Sequence, residues 1–266
     1  MNHINAAPAV HREDWLAELI SKIDVLVKQV HERHGRMALV GIDGVDGSGK
    51  TMLADELCRA IEARSLFTVM RSSVDGFHHP RSHRYRQGRH SPEGFFLDSY
   101  NYVDMKTVLL EPIRNGACDV CRTRIYDVDA DQAVSQTALP VPDQGVLIMD
   151  GIFLHRDELS AFWDFSIFLY VSPAVSVARN LGRAAADGVD INGVSADPWH
   201  SDHRRYVDGQ ALYLETCQPW RHADMIIDSE VVASPRPLST DQYEDLQSGW
   251  VQDTRGTGSD TGKRTT

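Results

Sequence analysis

One octapeptide, residues 44–51, constrains the fold of this chain more than any other stretch. It reads Gly-Val-Asp-Gly-Ser-Gly-Lys-Thr and fits the pattern G-x-x-x-x-G-K-[ST] of a phosphate-binding P-loop. The apolar run 37–42 before it is typical of a buried strand. Residues 52–63 after it carry apolar side chains at intervals of four, on one face of a helix. The order strand, glycine-rich loop, helix therefore predicts a P-loop unit.

The chemistry of the loop predicts a nucleoside triphosphate as its ligand. Glycines allow positive φ angles and close backbone approach, so successive N–H groups can point inward, and the helix N-terminus adds partial positive charge. Lys50 would reach the β- and γ-phosphates, and the hydroxyl of Thr51 would bind Mg²⁺. A glycine-rich turn without a ligand is the alternative. We expect ATP to be held by Gly44, Asp46, Gly47, Ser48, Gly49, Lys50, Thr51 and Met52.

Two carboxylates follow predicted strands. Asp75 comes shortly after the apolar run 67–70, and Asp150 follows the apolar run 145–149. Because ligands of parallel α/β sheets bind at the carboxyl ends of strands, both side chains are expected to face bound phosphate. An apolar strand that ends in a carboxylate is also typical of a Walker B element, which holds Mg²⁺. Thr51, Asp75 and Asp150 are thus the predicted metal ligands; an ordinary Asp-Gly turn is the alternative for Asp75.

Composition restricts the partners of the chain. Its 266 residues carry a formal charge of −11, which argues against binding to a nucleic acid polymer. Uninterrupted apolar stretches stay shorter than the 18 residues that a membrane-spanning helix needs, so no membrane insertion is expected. The expected partner is a small molecule, and a homo-oligomer stays open.

Cysteine usage indicates a reducing compartment. Four cysteines are too few for a disulfide scaffold of this size, and residues 1–10 lack the pattern of a secretory signal. We therefore expect a cytoplasmic protein with reduced thiols. Cys118 and Cys121 form a Cys-x-x-Cys pair that fits half a zinc site or a redox pair, but two ordinary thiols are the simpler interpretation.

The stretch 81–100 allows two interpretations. Residues 81–90 contain four arginines and two histidines, which fit either a solvated loop or a set of phosphate-binding and base-stacking guanidinium groups. Residues 91–100 combine Phe95 and Phe96 with Asp98. They could form a nucleoside pocket, in which the rings stack on the base and Asp98 accepts from ribose hydroxyls, or the aromatic residues could be plain core.

A lid is predicted in the second half of the chain. Arg179 and Arg183 lie four residues apart and hence on one face of a predicted helix. The following residues 186–202 are rich in Gly, Asp and Ser. Such lids exclude water and bring guanidinium groups to a transferring phosphoryl group. A solvent-facing arginine pair is the alternative.

These elements predict an α/β fold of the three-layer P-loop NTPase type, with a mainly parallel sheet flanked by helices, plus the lid. Residues 1–35 are expected to be an N-terminal helical extension, because 12–33 carry apolar residues at spacings of three and four. The P-loop domain should cover 36–235. Residues 236–266 should form a tail that is disordered from about 248, since its composition is polar.

Over residues 36–230 the chain resembles the uridine kinase family of P-loop kinases. The resemblance rests on blocks in sequence order: Ile42–Gly44 with the P-loop, Val74–His78, Ser91–Phe95 with Asp98–Tyr100, Arg124–Asp127, Asp150–Leu154, Arg179 with Arg183, and Arg205–Tyr206 through Ala223–Asp224. The Asp75 block places the chain in the branch that also holds pantothenate kinase and phosphoribulokinase.

The resemblance implies transfer of the ATP γ-phosphoryl group to the 5′-hydroxyl of uridine or cytidine. It implies Asp75 as general base beside Mg²⁺, Asp150 in the place of the family's metal-binding Glu, and a catalytic set completed by Lys50, Arg179 and Arg183. The implied nucleoside site consists of Asp75, Phe77, His78, Arg84, Phe95, Phe96, Asp98 and Tyr126. Asp129 and Asp131 stand near the position where the family often has a His.

Other functions stay open at this stage. The nearest is a kinase for another small alcohol, such as pantothenate or nicotinamide riboside. A catalytically silent nucleotide-binding module is a second alternative, although Lys50, Thr51, Asp75 and Asp150 are all present. A GTPase would need a guanine-reading Asn-Lys-x-Asp, and the chain contains no Asn-Lys pair.

Overall fold

The computed structural model describes residues 11–64, 66–115 and 119–250. The α-helices of this part are α1 Arg12–His34, α2 Lys50–Arg64, α3 Arg81–Arg84, α4 Pro92–Asp98, α5 Tyr102–Met105, α6 Glu111–Asn115, α7 Pro173–Ala186, α8 Arg204–Cys217 and α9 Thr240–Leu246. A π-helical turn, Lys106–Leu110, joins α5 and α6 into one continuous helical segment. Short 3₁₀ turns include Val74–Phe77, Ser160–Phe162, Pro219–Arg221 and Gln247–Trp250.

A six-stranded sheet forms the centre of the molecule. The strands of the described residues are β1 Ala38–Gly44, β2 Thr68–Ser73, β3 Val120–Cys121, β4 Tyr126–Asp127, β5 Gln132–Ala133, β6 Leu139–Pro140, β7 Gly145–Gly151, β8 Phe165–Tyr170, β9 Met225–Asp228 and β10 Arg236–Leu238. The order in the central sheet is β10-β9-β8-β1-β7-β2, with β10 antiparallel to β9 and the other neighbours parallel. Two small ribbons, β3 with β6 and β4 with β5, lie outside it.

Helices cover both faces of this sheet, which confirms the predicted three-layer α/β fold. Alternate residues of a strand point to opposite faces. Val40 and Ile42 pack with α1 and α2 on one face, whereas Leu39 packs with α5–α6, α8 and α9 on the other. Because both faces are covered, β1 and β7 are buried along their whole length, as is usual for parallel strands.

Strand register brings the predicted site residues to one edge of the sheet. The P-loop joins β1 to α2, and β7 lies between β1 and β2. Asp150 is paired in register with Ile42 of β1 and with Ser73 of β2. Asp75 follows Ser73 by two residues, so both carboxylates and the P-loop meet at the carboxyl ends of adjacent strands.

The chain beyond residue 235 differs from the expected tail. β10 extends the sheet, and α9 begins with a capping box in which Ser239 and Gln242 bond to each other's backbone N–H groups. Tyr243 and Trp250 are buried in the core, so the packed structure continues about fifteen residues past the predicted boundary. The predicted disorder from about 248 concerns mostly residues 251–266, which lie outside the described residues.

Two further expectations concern the N-terminal half. α1 packs with α2 and the sheet through Trp15, Leu19 and Ile23, so it belongs to the same core as the P-loop unit. Cys118 lies outside the described residues, and Cys121 is buried on β3. Among the described residues, no helix is long and apolar enough to cross a membrane.

Candidate active site

The P-loop has the conformation that its sequence predicts. Gly47 and Gly49 have φ angles of 71° and 93°, which residues with a side chain rarely adopt. The Lys50 side chain is nearly buried, and its Nζ donates to the carbonyl oxygen of Val45 at 2.8 Å. The ammonium group therefore lies over the loop at the N-terminus of α2, where a phosphate would add its oxygens as acceptors.

Thr51 and Asp150 join the two motifs. The Thr51 hydroxyl donates to Asp150 Oδ2 at 2.6 Å. The other carboxylate oxygen of Asp150 forms an ion pair of 2.7 Å with Arg71 of β2, whose guanidinium also donates to Asp55 at 3.0 Å. Arg71 was not among the predicted site residues, because a single arginine on a strand carries no motif.

Asp75 lies in the 3₁₀ turn that follows β2 and points to solvent. Its side chain is 67% exposed. The hydroxyl of Tyr100 donates to Asp75 Oδ1 at 3.3 Å, and the largely buried imidazole of His78 is 3.9 Å from the same oxygen. Burial, reinforced by Asp75, raises the pKa of Tyr100 well above its ordinary value, so the phenol stays a donor. Burial lowers the pKa of His78, which favours the neutral imidazole at pH 7.

A cavity of about 540 Å³ connects the P-loop to both strand-end carboxylates. It is large enough to bind a small molecule, since ligand pockets usually measure a few hundred Å³. The predicted residues that line it are Asp46, Gly47, Gly49, Lys50, Thr51, Met52, Asp75, Asp150, Arg179 and Arg183. Tyr100 also lines it, and the sequence prediction missed this residue.

The two predicted lid arginines differ in their contacts. Arg179 donates to the carbonyl oxygens of Gly47, Ser229 and Glu230 at 2.9, 3.0 and 2.8 Å, so it is already tied to the backbone beside the loop. Arg183 is one turn further along α7 and donates only to Asn180 among the hydrogen bonds of the described residues. Its guanidinium is the one of the pair that can move toward a phosphoryl group. Residues 187–203 join α7 to α8 without regular secondary structure and are called the lid segment, because they nearly coincide with residues 186–202 of the predicted lid.

Asp46 places a carboxylate inside the P-loop. Burial raises its pKa, although Lys50 and Arg183 act in the opposite direction. Asp46 lines the nucleotide cavity and also a second chamber of about 410 Å³ between α7, the lid segment and α8. The carboxylate therefore lies at the junction of the loop and the lid.

A further cavity of about 480 Å³ opens on the other side of Asp75. Tyr126 lines it, as predicted for a substrate-binding residue, together with Arg71, Arg124 and Asp129. The Tyr126 hydroxyl donates to Asp131 Oδ1 at 2.8 Å. Asp75 lines both this cavity and the one at the P-loop, so it stands where two bound molecules would meet.

Several residues predicted for the nucleoside site lie elsewhere. Phe77 is completely buried, and Phe95 and Phe96 pack edge to face on Phe153 with ring centroids 5.4 and 5.3 Å apart. They belong to the aromatic core, which is the alternative that the sequence left open. His78 contacts Asp75 and Tyr100 from behind. These four side chains line neither cavity beside Asp75.

Asp98 and Arg84 hold the arginine-rich segment in place. Asp98 is 1% exposed and accepts from Arg86 at 2.5 Å and from Gln87 at 2.8 Å. Burial opposes its ionisation, but these hydrogen bonds outweigh burial and lower the pKa of Asp98. Arg84 donates to the carbonyl oxygen of His79 at 2.9 Å and forms an ion pair with Asp131. Neither side chain lines the cavities beside Asp75, contrary to the sequence prediction.

A buried polar cluster beneath the loop also escaped the prediction. Asp43, the residue before Gly44, lies 2.7 Å from Nδ1 of His155 and accepts from the Gly44 N–H at 2.6 Å and from the Tyr213 hydroxyl. The other imidazole nitrogen of His155 is 2.9 Å from Ser166 Oγ. A carboxylate at the end of a buried strand was a usable signal, but its side-chain partners His155 and Tyr213 lie more than 100 residues away in the chain.

The oxygen donors of the site fit a magnesium ion that also binds water and substrate phosphates, and not a metal ion held by protein side chains alone. The described residues contain no cluster of three His, Cys, Asp or Glu side chains with metal-binding geometry. Mg²⁺ usually binds one or two carboxylates and completes its shell with water and substrate phosphates. Thr51 and Asp150 supply a hydroxyl and a carboxylate at the loop, and Asp75 lines the same cavity. This donor set fits Mg²⁺ bound with a nucleotide.

The fold and this edge of the sheet define the class of the protein as a P-loop kinase. The family model described as Phosphoribulokinase / Uridine kinase family matches residues 39–228. This span covers β2, β7, β8, β9 and all but one residue of β1, together with the P-loop, both carboxylates and residues 187–203. The chain belongs to this family.

Individual relatives are distant. The chain is 25% identical over 200 residues to a uridine kinase of Brevibacillus brevis, a match that covers 73% of this chain and 85% of the relative. A uridine kinase of Clostridium tetani is 23% identical over 194 residues, covering 72% and 87% of the two chains.

Solved structures share the fold. A structure described as a possible uridine kinase from Bacillus stearothermophilus aligns with a TM-score of 0.55 and 24% identity, over 79% of this chain and 98% of that one. D-glycerate 3-kinase from Cryptococcus neoformans aligns with a TM-score of 0.51 and 11% identity, over 83% and 99%. At these identities the likeness concerns the fold alone.

Proposed function

We propose that the chain transfers the γ-phosphoryl group of ATP to a hydroxyl group of a small alcohol, and that the acceptor is the 5′-hydroxyl of uridine or cytidine. The observation that carries the proposal is the position of Asp75. Its exposed carboxylate lines both the P-loop cavity and the neighbouring polar cavity. A nucleotide in one and an alcohol in the other would meet at this side chain.

The residues of the site divide the work of phosphoryl transfer. Such transfer needs little covalent chemistry from the protein, so positioning and charge stabilisation dominate. Loop amides and Lys50 bind the phosphates, and Arg183 adds a guanidinium from the lid side. Thr51 and Asp150 would hold Mg²⁺, which neutralises charge on the β- and γ-phosphate oxygens when bound.

Asp75 acts as the general base in this proposal. It accepts the proton of the acceptor hydroxyl as the new P–O bond forms and the bond to the β-phosphate oxygen breaks. The Tyr100 hydroxyl, which stays protonated, orients the carboxylate from behind.

The choice of a pyrimidine nucleoside rests on two supports. Relatives that match over more than 80% of their own length are named uridine kinases. The Tyr126 ring lines the cavity of about 480 Å³ beside Asp75, which we call the acceptor cavity, where an aromatic side chain can stack on a base.

A second candidate is a kinase for another small polar alcohol. It is favoured by the composition of the acceptor cavity, which Arg71, Arg124, Asp127 and Asp129 line beside Tyr126. The predicted base-stacking residues Phe95 and Phe96 pack in the core instead. Pantothenate, nicotinamide riboside and D-glycerate represent this class.

A coupled ADP-release assay tests the proposal. The chain would be incubated with ATP, Mg²⁺ and one acceptor at a time: uridine, cytidine, adenosine, pantothenate, nicotinamide riboside or D-glycerate. We expect the highest kcat/KM with uridine or cytidine. Faster turnover of any other acceptor in the panel would replace the pyrimidine acceptor and keep the kinase. If none of these acceptors stimulates ADP release although the chain binds ATP, the result would favour a nucleotide-binding module without catalysis.

A further inference from the structure

Helix α8 contacts the P-loop through a buried glutamine that the proposed chemistry does not use. Gln210 is 1% exposed, and its Oε1 accepts from the backbone N–H of Asp46 at 2.5 Å. Its Nε2 donates to the carbonyl oxygen of Tyr206 at 3.0 Å. Because both ends of the side-chain amide are engaged, only one orientation satisfies the site. The third residue of the loop is thus held from α8.

A tyrosine one turn further along α8 holds the other side of Gly44. The Tyr213 hydroxyl donates to Asp43, which directly precedes the loop and also accepts from the Gly44 N–H. Burial, reinforced by Asp43, raises the pKa of Tyr213 well above its ordinary value, so the phenol remains a donor. Asp43 is fully buried, and a buried carboxylate depends on such donors.

The loop has little room to absorb a shift of either residue. A Cβ on Gly44 would lie 2.5 Å from the carbonyl oxygen of Leu169 and 2.8 Å from Ser48 Oγ. A Cβ on Gly47 would lie 2.9 Å from the carbonyl oxygen of Ser176 on α7. Because the neighbouring backbone packs this closely, adjacent residues cannot compensate for a displacement of Asp43 or Asp46. Such a displacement would change the direction of the loop's N–H groups.

α8 is itself fixed at its first turns. Arg205 donates to the carbonyl oxygens of Gly88, Arg89 and Ser91 at 3.4, 3.2 and 3.0 Å. A Cβ on Gly209 would lie 2.8 Å from Phe95, so the helix is in close contact with α4. The lid segment 187–203 runs directly into this helix. The helix therefore connects the lid and the arginine-rich segment to the loop.

From these contacts we propose that Gln210 and Tyr213 are positioning residues for the P-loop: they set the direction of its phosphate-binding N–H groups from α8. The proposal rests on the proposed function, since it requires that the loop binds ATP. Neither side chain lines the nucleotide cavity: Gln210 acts through the backbone N–H of Asp46, and Tyr213 acts through the side chain of Asp43. Their loss weakens ATP binding while the acceptor site and the chemical step stay intact.

Direct measurement of ATP binding tests this inference. Isothermal titration calorimetry with ATP and Mg²⁺, without acceptor, would compare the unmodified chain with Gln210→Met, Tyr213→Phe and the double variant. Both substitutions preserve shape and remove the hydrogen bond. We expect each single variant to raise the Kd for ATP about tenfold. In the double variant the Kd for ATP should rise by well under a hundredfold, because both hydrogen bonds hold the same loop and their effects do not add. Steady-state kinetics should show a raised KM for ATP at little-changed kcat and acceptor KM.

Leu214→Ala is the matched control, because Leu214 is a buried α8 residue with an apolar side chain only. It should lower the Tm at least as much as the two test variants and leave the Kd for ATP unchanged below the unfolding transition. Wild-type affinity in Gln210→Met and Tyr213→Phe would overturn the inference, as would an equal loss of affinity in Leu214→Ala. Failure of the unmodified chain to bind ATP would instead overturn the proposed function, and the inference with it.

Discussion

The Thr51 hydroxyl donates a 2.6 Å hydrogen bond to Asp150 Oδ2, which joins the first turn of α2 to the end of β7. The two residues are 99 positions apart in the chain, and parallel pairing of β1 with β7 brings them together. Their oxygens face the cavity that also contains Lys50 and Asp75. A hydroxyl and a carboxylate at hydrogen-bond distance could supply two ligands of an octahedral magnesium shell, which nucleotide phosphates and water would complete.

Removal of the Thr51 hydroxyl should therefore weaken the response to magnesium. We expect Thr51→Val to lower kcat/KM about 30-fold, the equivalent of about 2 kcal/mol for one hydrogen bond to a charged group. The Mg²⁺ concentration for half-maximal activity should rise as well. Thr51→Ser keeps the hydroxyl and serves as the control. An unchanged magnesium titration in Thr51→Val would remove this residue from the metal site.

Gly151 allows the end of β7 to approach the turn that carries Asp75. A Cβ at this position would lie 2.4 Å from Val74 Cγ1, so Gly151→Ala must push Val74 and the neighbouring Asp75 away from the loop. We expect a loss of about 1–3 kcal/mol in the free energy of unfolding, the usual range for overpacking. Because the base is displaced, kcat should fall about tenfold, which corresponds to a barrier higher by about 1.4 kcal/mol. The Kd for ATP should stay the same.

Gly182→Ala provides the control for this substitution. A Cβ at Gly182, inside α7, would meet no heavy atom within 4 Å. Alanine also has the higher helix propensity, so the variant should be as stable as the unmodified chain or more so. Equal kinetic losses in both glycine variants would show that the Val74 contact has no special role.

Asp98 is expected to contribute to stability and not to acceptor binding. Asp98→Ala removes the acceptor of Arg86 and Gln87, which should cost about 1–2 kcal/mol, because the Arg86 side chain is 57% exposed and water can solvate it. The KM for the acceptor should stay within a factor of two of the unmodified chain at temperatures where the variant is folded. A large rise in acceptor KM with unchanged Tm would instead restore Asp98 to the substrate site.

Asp164 gives the stability of the chain a dependence on pH. Burial opposes its ionisation, but hydrogen bonds from Arg36 and from the Leu39 N–H outweigh burial and lower the pKa of Asp164 below 3.8. A lowered folded-state pKa stabilises the fold above the unfolded-state pKa, and this stabilisation is lost as the pH falls through the folded-state value.

Urea unfolding at pH 7 and at pH values below 3.8 tests this sign. Asp164→Asn should lower the free energy of unfolding by about 3 kcal/mol at pH 7, because Arg36 remains buried without its charge partner. The difference from the unmodified chain should narrow as the pH drops below 3.8. Asp245→Asn, at an exposed position, should follow the unmodified chain throughout. A gap for Asp164→Asn that widens toward low pH would contradict the assigned pKa direction.

The parts of the site that follow from the sequence are those written in local patterns. The P-loop is a contiguous octapeptide, and strand ends carry Asp75 and Asp150. A parallel sheet places such ends on one edge whatever the loops between them do. This rule is enough to predict the shared cavity of Lys50, Asp75 and Asp150.

The remaining parts depend on partners that no local pattern reveals. The orientation of Asp98 is decided by Arg86 and Gln87, which fold back onto it, and Asp43 is held by Tyr213 from 170 residues away. The packed chain after residue 235 was missed for a similar reason. Its short helix carries one buried tyrosine, Tyr243, whose aromatic partners Phe168, Tyr170 and Trp220 come from elsewhere in the core.

Asp75→Asn tests the central claim most directly. Single-turnover kinetics with ATP, Mg²⁺ and the best acceptor would be measured beside the Kd for ATP of the same variant. Because asparagine keeps the shape and loses the basic oxygen, we expect phosphoryl transfer to slow by about 10³-fold, within the range of general-base catalysis. The Kd for ATP should change by less than about threefold, since Asp75 lies at the acceptor side of the cavity. Phosphoryl transfer at the unmodified rate would contradict the assignment of Asp75 as the base.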